Sequence, residues 1–167
     1  GASIPLVRRL SGGGLVYHDG DLTFSFVFPW PRALAPSWIY KSVHLGVHLG
    51  LKAAGIPSRL WSPGQTRASG SFECFAKPEA KDLVDEEGIK LLGGALRRRM
   101  GVGLYQGSLR VERLRATRLR LGRAVAEGLG LQWSALWRDE PPPPAMAAAA
   151  ERLRRERYAR DDWNKKR

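Results

Sequence analysis

Residues 22–28, LTFSFVF, alternate without a break: Leu22, Phe24, Phe26 and Phe28 fall on one face, Thr23, Ser25 and Val27 on the other. A period of two is the pitch of a β-strand, and aromatic side chains on a single face require a sheet covered on at least that side. The cover is supplied by residues 37–54, where Ile39, Val43, Val47 and Leu51 recur every four residues. This spacing predicts an amphipathic helix, with Ser37 placed to cap its start and Gly55 to close it. Gly46 and Gly50, also four apart, predict a helix that sits close on the sheet, each at a cost of about 1 kcal/mol in helix propensity.

Further strands are expected at residues 56–61, 83–84, 89–92 and 103–111, with a hairpin turn over 85–88. A second helix is expected from Thr117 to about Gly128, where Leu121, Val125 and Leu129 form a four-spaced series that Gly128 and Gly130 bring to an end. A strand over 131–136 and a last helix over 145–160 follow, the latter led by the proline run 141–144. The order predicts an α+β fold, a mostly antiparallel or mixed sheet packed with helices. A length of 167 residues fits one domain, with residues 139–150 as a Pro/Ala-rich connection inside it.

Composition narrows the function classes. The chain is 43% hydrophobic and 26% charged, which argues against a disordered tail, a collagen-like fibre and a membrane bundle. No apolar run approaches the ~18 residues that span a bilayer. The beginning, GASIPLVRRL, lacks a signal-peptide layout, and a single cysteine cannot form an internal disulfide, so a reducing compartment, the cytoplasm, is expected. The net charge of +12, carried mostly by Arg, attracts polyanions. No zinc-finger spacing, RNP-like strand or heptad repeat accompanies that charge, which argues against nucleic acid and leaves a solvated face or a docking surface for an acidic protein.

Residues 8–19, RRLSGGGLVYHD, are the densest site signal. Three successive glycines let the backbone approach a ligand and expose its N–H groups, and two arginines supply charge for a carboxylate or phosphate; a bare glycine run also serves as a flexible turn. Cys74, between Phe72 and Phe75, reads as an inert core thiol unless a cation lies nearby, because only the thiolate is reactive. Lys90, flanked by Ile89 and Leu91, is the candidate cation, or else a lysine on the solvated face of its strand. His44 and His48 have a spacing that zinc can use, but Leu45 stands where a His-Glu-x-x-His site needs Glu; the pair is taken as structural and no metal site is expected.

Three segments together resemble a known family. The string RRLSGGGLVYHDGDLTFSF is similar to the signature loop and strand of the biotin/lipoate-protein ligase superfamily. KLLGGALRRRMGVGLYQGSL resembles its lysine segment, and YARDDWNKKR its closing Tyr-x-x-x-x-Trp-Asn. The resemblance is closer to the ligase-like octanoyltransferases than to the ATP-dependent ligases. Only two residues separate Asp19 from Leu22, a Cys-Phe pair precedes Lys90 by some sixteen residues, and no accessory domain is expected after the closing motif.

The resemblance implies a biotin/lipoate protein ligase-like catalytic domain and transfer of an octanoyl group through a thioester on Cys74, with Lys90 lowering the thiol pKa and holding the acyl carbonyl. It implies further that Gly12, Gly13, Gly14, Leu15 and Val16 line the acyl site and that Arg9, His18, Gly93, Ala95 and Gln106 shape it. The implied partners are octanoyl-acyl carrier protein and an acidic lipoyl domain or glycine-cleavage H protein. No metal or nucleotide is implied, whereas the ligase alternative needs ATP and Mg²⁺. Relatives carry a sizeable segment before the Arg-Arg motif and an insertion between residues 112 and 117, and often His at the position of Gln106. A shortened or split form is therefore expected, completed by a second polypeptide, or else a catalytically inactive binding module.

Overall fold

The computed structural model describes residues 4–12, 14–62 and 81–165. These fall into two compact units, Ser11–Trp137 and a second that joins the described part of Gly1–Leu10 to that of Arg138–Arg167.

The larger unit is a five-stranded sheet in the order β1-β5-β4-β3-β2, with every pairing antiparallel. The strands are β1 (Leu22–Pro29), β2 (Arg59–Leu60), β3 (Leu83–Val84), β4 (Lys90–Arg99) and β5 (Val102–Leu109). The β1 alternation is borne out: Phe26 and Phe28 are buried while Thr23, Ser25 and Val27 are exposed. Glycines on the neighbouring strand make room for these rings. Phe24 lies over Gly107 and Phe28 over Gly103, each its direct cross-strand partner. Strands β4 and β5 are joined by Met100 and Gly101, both with positive φ (49° and 78°), the backbone that a two-residue hairpin requires. The 85–88 turn is also as expected, with Gly88 at φ 82° and the Asp85 carboxylate accepting from the Ile89 amide at 2.8 Å.

Helix α1 (Pro36–Ala53) buries Ile39, Val43, Val47 and Leu51, and α2 (Arg118–Trp133) buries Leu121, Val125 and Leu129; both stripes join the core with Phe26, Phe28, Tyr105 and Leu109. Several boundaries differ from expectation for local reasons. Proline at the first position of α1 moves the cap from Ser37 to Ala35. The strand expected over 56–61 shrinks to Arg59–Leu60, as Pro57 has no N–H to give a ladder. Helix α2 starts where expected, the Thr117 hydroxyl accepting from the Arg120 amide, but runs through Gly128 and Gly130 to Trp133 and ends at Ser134 (φ 50°); the strand over 131–136 does not form.

The reason is tertiary. Gly46, Gly50 and Gly128 are where the two helices touch, so the α1 glycines serve close approach to α2 rather than to the sheet. A Cβ on Gly50 would overlap the Ala124 carbonyl, and one on Gly128 the Gly46 carbonyl oxygen.

In the smaller unit, α3 (Pro144–Leu153) passes into a π-helical turn, Arg154–Tyr158, and is followed by α4 (Asp161–Asn164). The expected single helix over 145–160 is thus interrupted. The closing Tyr-x-x-x-x-Trp-Asn has a definite task there. Trp163 Nε1 donates to the Arg8 carbonyl at 3.0 Å, and the Arg8 amide donates to Asn164 Oδ1 at 2.9 Å, fixing the backbone at Arg8. The Tyr158 ring edge and the Arg157 guanidinium brace the Trp163 indole.

Gly50→Ala is expected to destabilise the fold by about 2–3 kcal/mol despite its better helix propensity, because backbone has to move to admit the methyl. Thermal unfolding measures it, and a raised melting temperature in the variant is the contrary result.

Candidate active site

The glycine-rich loop is anchored on the sheet. The Ser11 hydroxyl, buried, donates to Gln106 Oε1 on β5 at 2.7 Å, and Gln106 lies directly opposite Ala95 of β4. By the same register Gly93 faces Ser108. Two segments about ninety residues apart in sequence, the loop and the lysine segment, are thereby joined through Ser11 and Gln106, the latter paired with Ala95. Gly12 and Gly14 are exposed, Leu15 is about half exposed and Val16 half-buried. Leu15 and Val16, with Tyr17, form the apolar wall of a cleft of about 440 Å³ whose other lining is Asp19, Asp21, Ser108, Arg110 and Glu112. That volume lies within the range of small-ligand pockets.

His18 sits beside Asp21 of the cleft lining. Its exposed ring donates through Nδ1 to Asp21 at 2.7 Å, and Ser108 donates to the same carboxylate oxygen. Burial raises the Asp21 pKa, but these hydrogen bonds and the His18 charge outweigh it, and the carboxyl is held below its ordinary value. Arg118 at the start of α2 fixes the Asp21 carbonyl at 3.0 Å. Asp21 and Ser108 were not singled out by sequence reasoning; the signal for Ser108 was its place directly across from Gly93. Arg9, half-buried, lies in the smaller unit. Cys74 and Gly13 lie outside the described residues.

Lys90 occupies neither the solvated face of a strand nor the lining of the cleft. Its side chain is 5% exposed, and Nζ sits 2.7 Å from Asp82 Oδ2, a carboxylate that is itself buried. The strand is irregular at this point: Val84 pairs with Lys90 but Leu83 with Leu92, so Leu91 is passed over, and Leu91 and Leu92 are both fully buried. Such a bulge breaks the period of two and re-aims the side chain next to it.

A set of polar groups surrounds the pair, His44 and Tyr105 fully buried and Tyr40 partly so. Tyr40 donates to Asp82 Oδ1 at 3.0 Å. His44 Nδ1 is 3.0 Å from the Lys81 carbonyl, which can only accept, so this nitrogen carries the proton; Nε2, 2.8 Å from the Tyr105 hydroxyl, therefore accepts. Both ring nitrogens of His44 are used by protein partners, and His48 Nδ1 lies 3.0 Å from the Ser58 hydroxyl. Burial, with the Lys90 charge, pushes His44 down to about 4 against the pull of Asp82 and of the Lys81 carbonyl. Burial also raises the Tyr105 phenol, which stays a donor. The sequence signals for this network were faint: an aspartate just ahead of a hairpin, and a tyrosine and histidine one turn apart on a helix.

A histidine whose folded pKa is lowered contributes stability above its unfolded value of 6.5 and loses it as pH falls toward about 4. The loss reaches about 3 kcal/mol across that window. Urea midpoints at neutral pH and near pH 4.5 measure it; His44→Gln is expected to flatten the dependence, and an unchanged slope in that variant assigns the acid sensitivity to other groups.

Comparison with known proteins matches this arrangement to one family. A family model described as the lipoyl protein ligase A/B catalytic domain matches residues 1–118, which include the loop, β1, α1 and the β4–β5 hairpin. The octanoyltransferase LipM of Brevibacillus brevis is 34% identical over 112 residues, 62% of this chain and 40% of the relative. The chain thus spans about 40% of the length of the curated relatives it matches. A structure from T. acidophilum described as a lipoate protein ligase with bound lipoic acid superposes with a TM-score of 0.79 at 21% identity, covering 96% of this chain and 71% of that one. A bi-partite lipoate protein ligase of Thermoplasma acidophilum, studied with its E2 lipoyl domain, gives 0.74 at 20% identity, covering 95% and 69%. At these identities the two structures establish the fold, an antiparallel sheet packed with helices. With the family's catalytic-domain model matched across the loop and the lysine segment that the fold joins, the chain belongs to the lipoyl protein ligase A/B catalytic domain family.

Proposed function

We propose that the chain is an octanoyltransferase of protein lipoylation, moving an octanoyl group from acyl carrier protein to a lysine of a lipoyl domain or of a glycine-cleavage H protein. The observation that carries transfer rather than ligation is the 34% identity to a curated octanoyltransferase. In this reading the Cys74 thiolate attacks the thioester carbonyl of the octanoyl carrier. A carbon–sulfur bond forms to Cys74, and the bond to the carrier sulfur breaks, releasing the carrier as a thiolate that takes a proton from solvent. The neutral amine of the acceptor lysine then attacks the octanoyl-Cys74 thioester. The amide bond forms, Cys74 leaves as a thiolate, and the amine's surplus proton goes to solvent.

Lys90 supplies the positive charge that favours the thiolate and the oxyanion of each addition step, in the manner of electrostatic catalysis. Leu15 and Val16 offer the acyl chain an apolar wall. The net charge of +12 steers acidic carrier and acceptor domains toward the chain. By analogy with the bi-partite neighbour, a complementing polypeptide is a further partner. The reaction uses neither metal nor nucleotide, and its place is the cytoplasm, where a lone thiol stays reduced.

Incubation with octanoyl-acyl carrier protein and no ATP is expected to yield an octanoyl adduct by intact mass that Cys74→Ala abolishes. An ATP- and lipoate-dependent product that survives Cys74→Ala identifies a ligase instead. Absence of adduct and product alike, with tight binding of an acidic lipoyl domain, identifies an inactive binding module.

A further inference from the structure

The proposed chemistry gives Lys90 a task but does not say what aims its ammonium. Lys90 begins β4, next to a bulge, and its four-carbon stem leaves the charge free to take many positions unless something fixes it. The ion pair with Asp82 is a fixing contact, at 2.7 Å with the two side chains 5% and 1% exposed. Asp82 is itself held. Tyr40 of α1 donates to its second oxygen at 3.0 Å, and one turn further along α1 His44 Nδ1 donates to the carbonyl of the preceding residue, Lys81, at 3.0 Å. Lys81 has φ 78°, a left-handed backbone that is unfavourable for a side chain with a Cβ. Its amide donates to the Trp61 carbonyl at 2.9 Å, and the Asp82 carbonyl accepts from the Trp61 amide at 2.7 Å. Helix α1 and Trp61, the residue after β2, thus hold one carboxylate in place, and that carboxylate holds one ammonium.

Stability does not account for such an arrangement, since a buried ion pair contributes about as much as well-packed apolar side chains of the same volume. Its distinctive physical effect is orientation. One of the three ammonium N–H donors is directed at Asp82, which fixes the directions of the other two.

We propose that Asp82 is the positioning residue of the reaction, holding the Lys90 ammonium at the angle acyl transfer requires, with Tyr40 and His44 holding Asp82. This rests on the transferase reading above, and two independent measurements separate the two ideas. The first is the rate at which acetic anhydride acetylates Lys90 in the folded full chain, followed by peptide mass spectrometry against the surface lysines as internal reference. Asp82→Asn is expected to speed Lys90 modification at least about tenfold. Tyr40→Phe, which removes one hydroxyl and spares the fold if Asp82→Asn does not, is expected to speed it about threefold, in keeping with the loss of one hydrogen bond.

The second measurement is octanoyl transfer. Asp82→Asn is expected to lower kcat about 100-fold with KM little changed, the cost of misplacing a catalytic group by about an ångström. Tyr40→Phe is expected to lower kcat a few-fold, and to add nothing once Asp82 is Asn, because it acts through that carboxylate. Unchanged acetylation of Lys90 in both variants overturns the proposal, whatever the activity. Faster acetylation with unchanged kcat, in a protein whose transfer depends on Cys74, also overturns it and leaves the transferase reading standing. Loss of melting temperature with kcat preserved assigns Asp82 a structural role only. Failure of the wild-type chain to transfer octanoyl overturns the transferase reading and the positioning role with it, while acetylation still reports whether Asp82 holds Lys90.

Discussion

Two opposite charges 2.7 Å apart and almost wholly out of water have to be matched by their surroundings, and the larger unit is arranged around that need. Removing either partner leaves the other's buried charge without this counter-ion, at a cost of about 3–5 kcal/mol. The oxygens of Asp82 are reached from β4 and from α1, while the histidine and tyrosine beside them satisfy each other and the Lys81 carbonyl. The network therefore ties α1 to β4, to β5 through Tyr105, and to the chain entering β3. It does so at the start of the strand whose later residues, Gly93 and Ala95, face Ser108 and Gln106.

Small residues give the remaining elements their spacing. Where Gly46, Gly50 and Gly128 meet, two helices approach to backbone contact, which brings both apolar stripes onto a single sheet face. Within the sheet, Gly94, Gly103 and Gly107 leave slots filled by Tyr105, Phe28 and Phe24. The Tyr105 slot is the one that matters for the polar network: a Cβ on Gly94 would collide with the phenol that donates to His44. Packing and electrostatics are coupled at that position.

Much of the architecture was legible because its periods are local. The β1 alternation, the four-residue stripe of α1, the start of α2 near Thr117 and the 85–88 turn each depend on residues within one turn or one hairpin. The errors share a cause as well. Gly128 and Gly130 look like a helix end when read locally, yet contact with α1 carries α2 on to Trp133. In the candidate site, the loop and the lysine segment could be recognised as motifs, and Ser11 bonded to Gln106 is how they meet. Lys90 could be picked out for its charge among apolar neighbours, but its partner could not. Asp82 lies eight residues earlier across a bulged pairing, and the bulge removes the register from which the contact could have been counted.

The sequence by itself determined the α+β class, the strand and helix that form the two layers, the glycine-rich loop and the identity of the titratable residues, because these follow from side-chain period and from local backbone preference. Only the tertiary structure decided which charges meet, that His44 is neutral with its proton on Nδ1, and that three glycines serve a helix–helix contact. Those outcomes depend on burial and on distances between residues far apart in the chain, and neither quantity exists until the layers have packed.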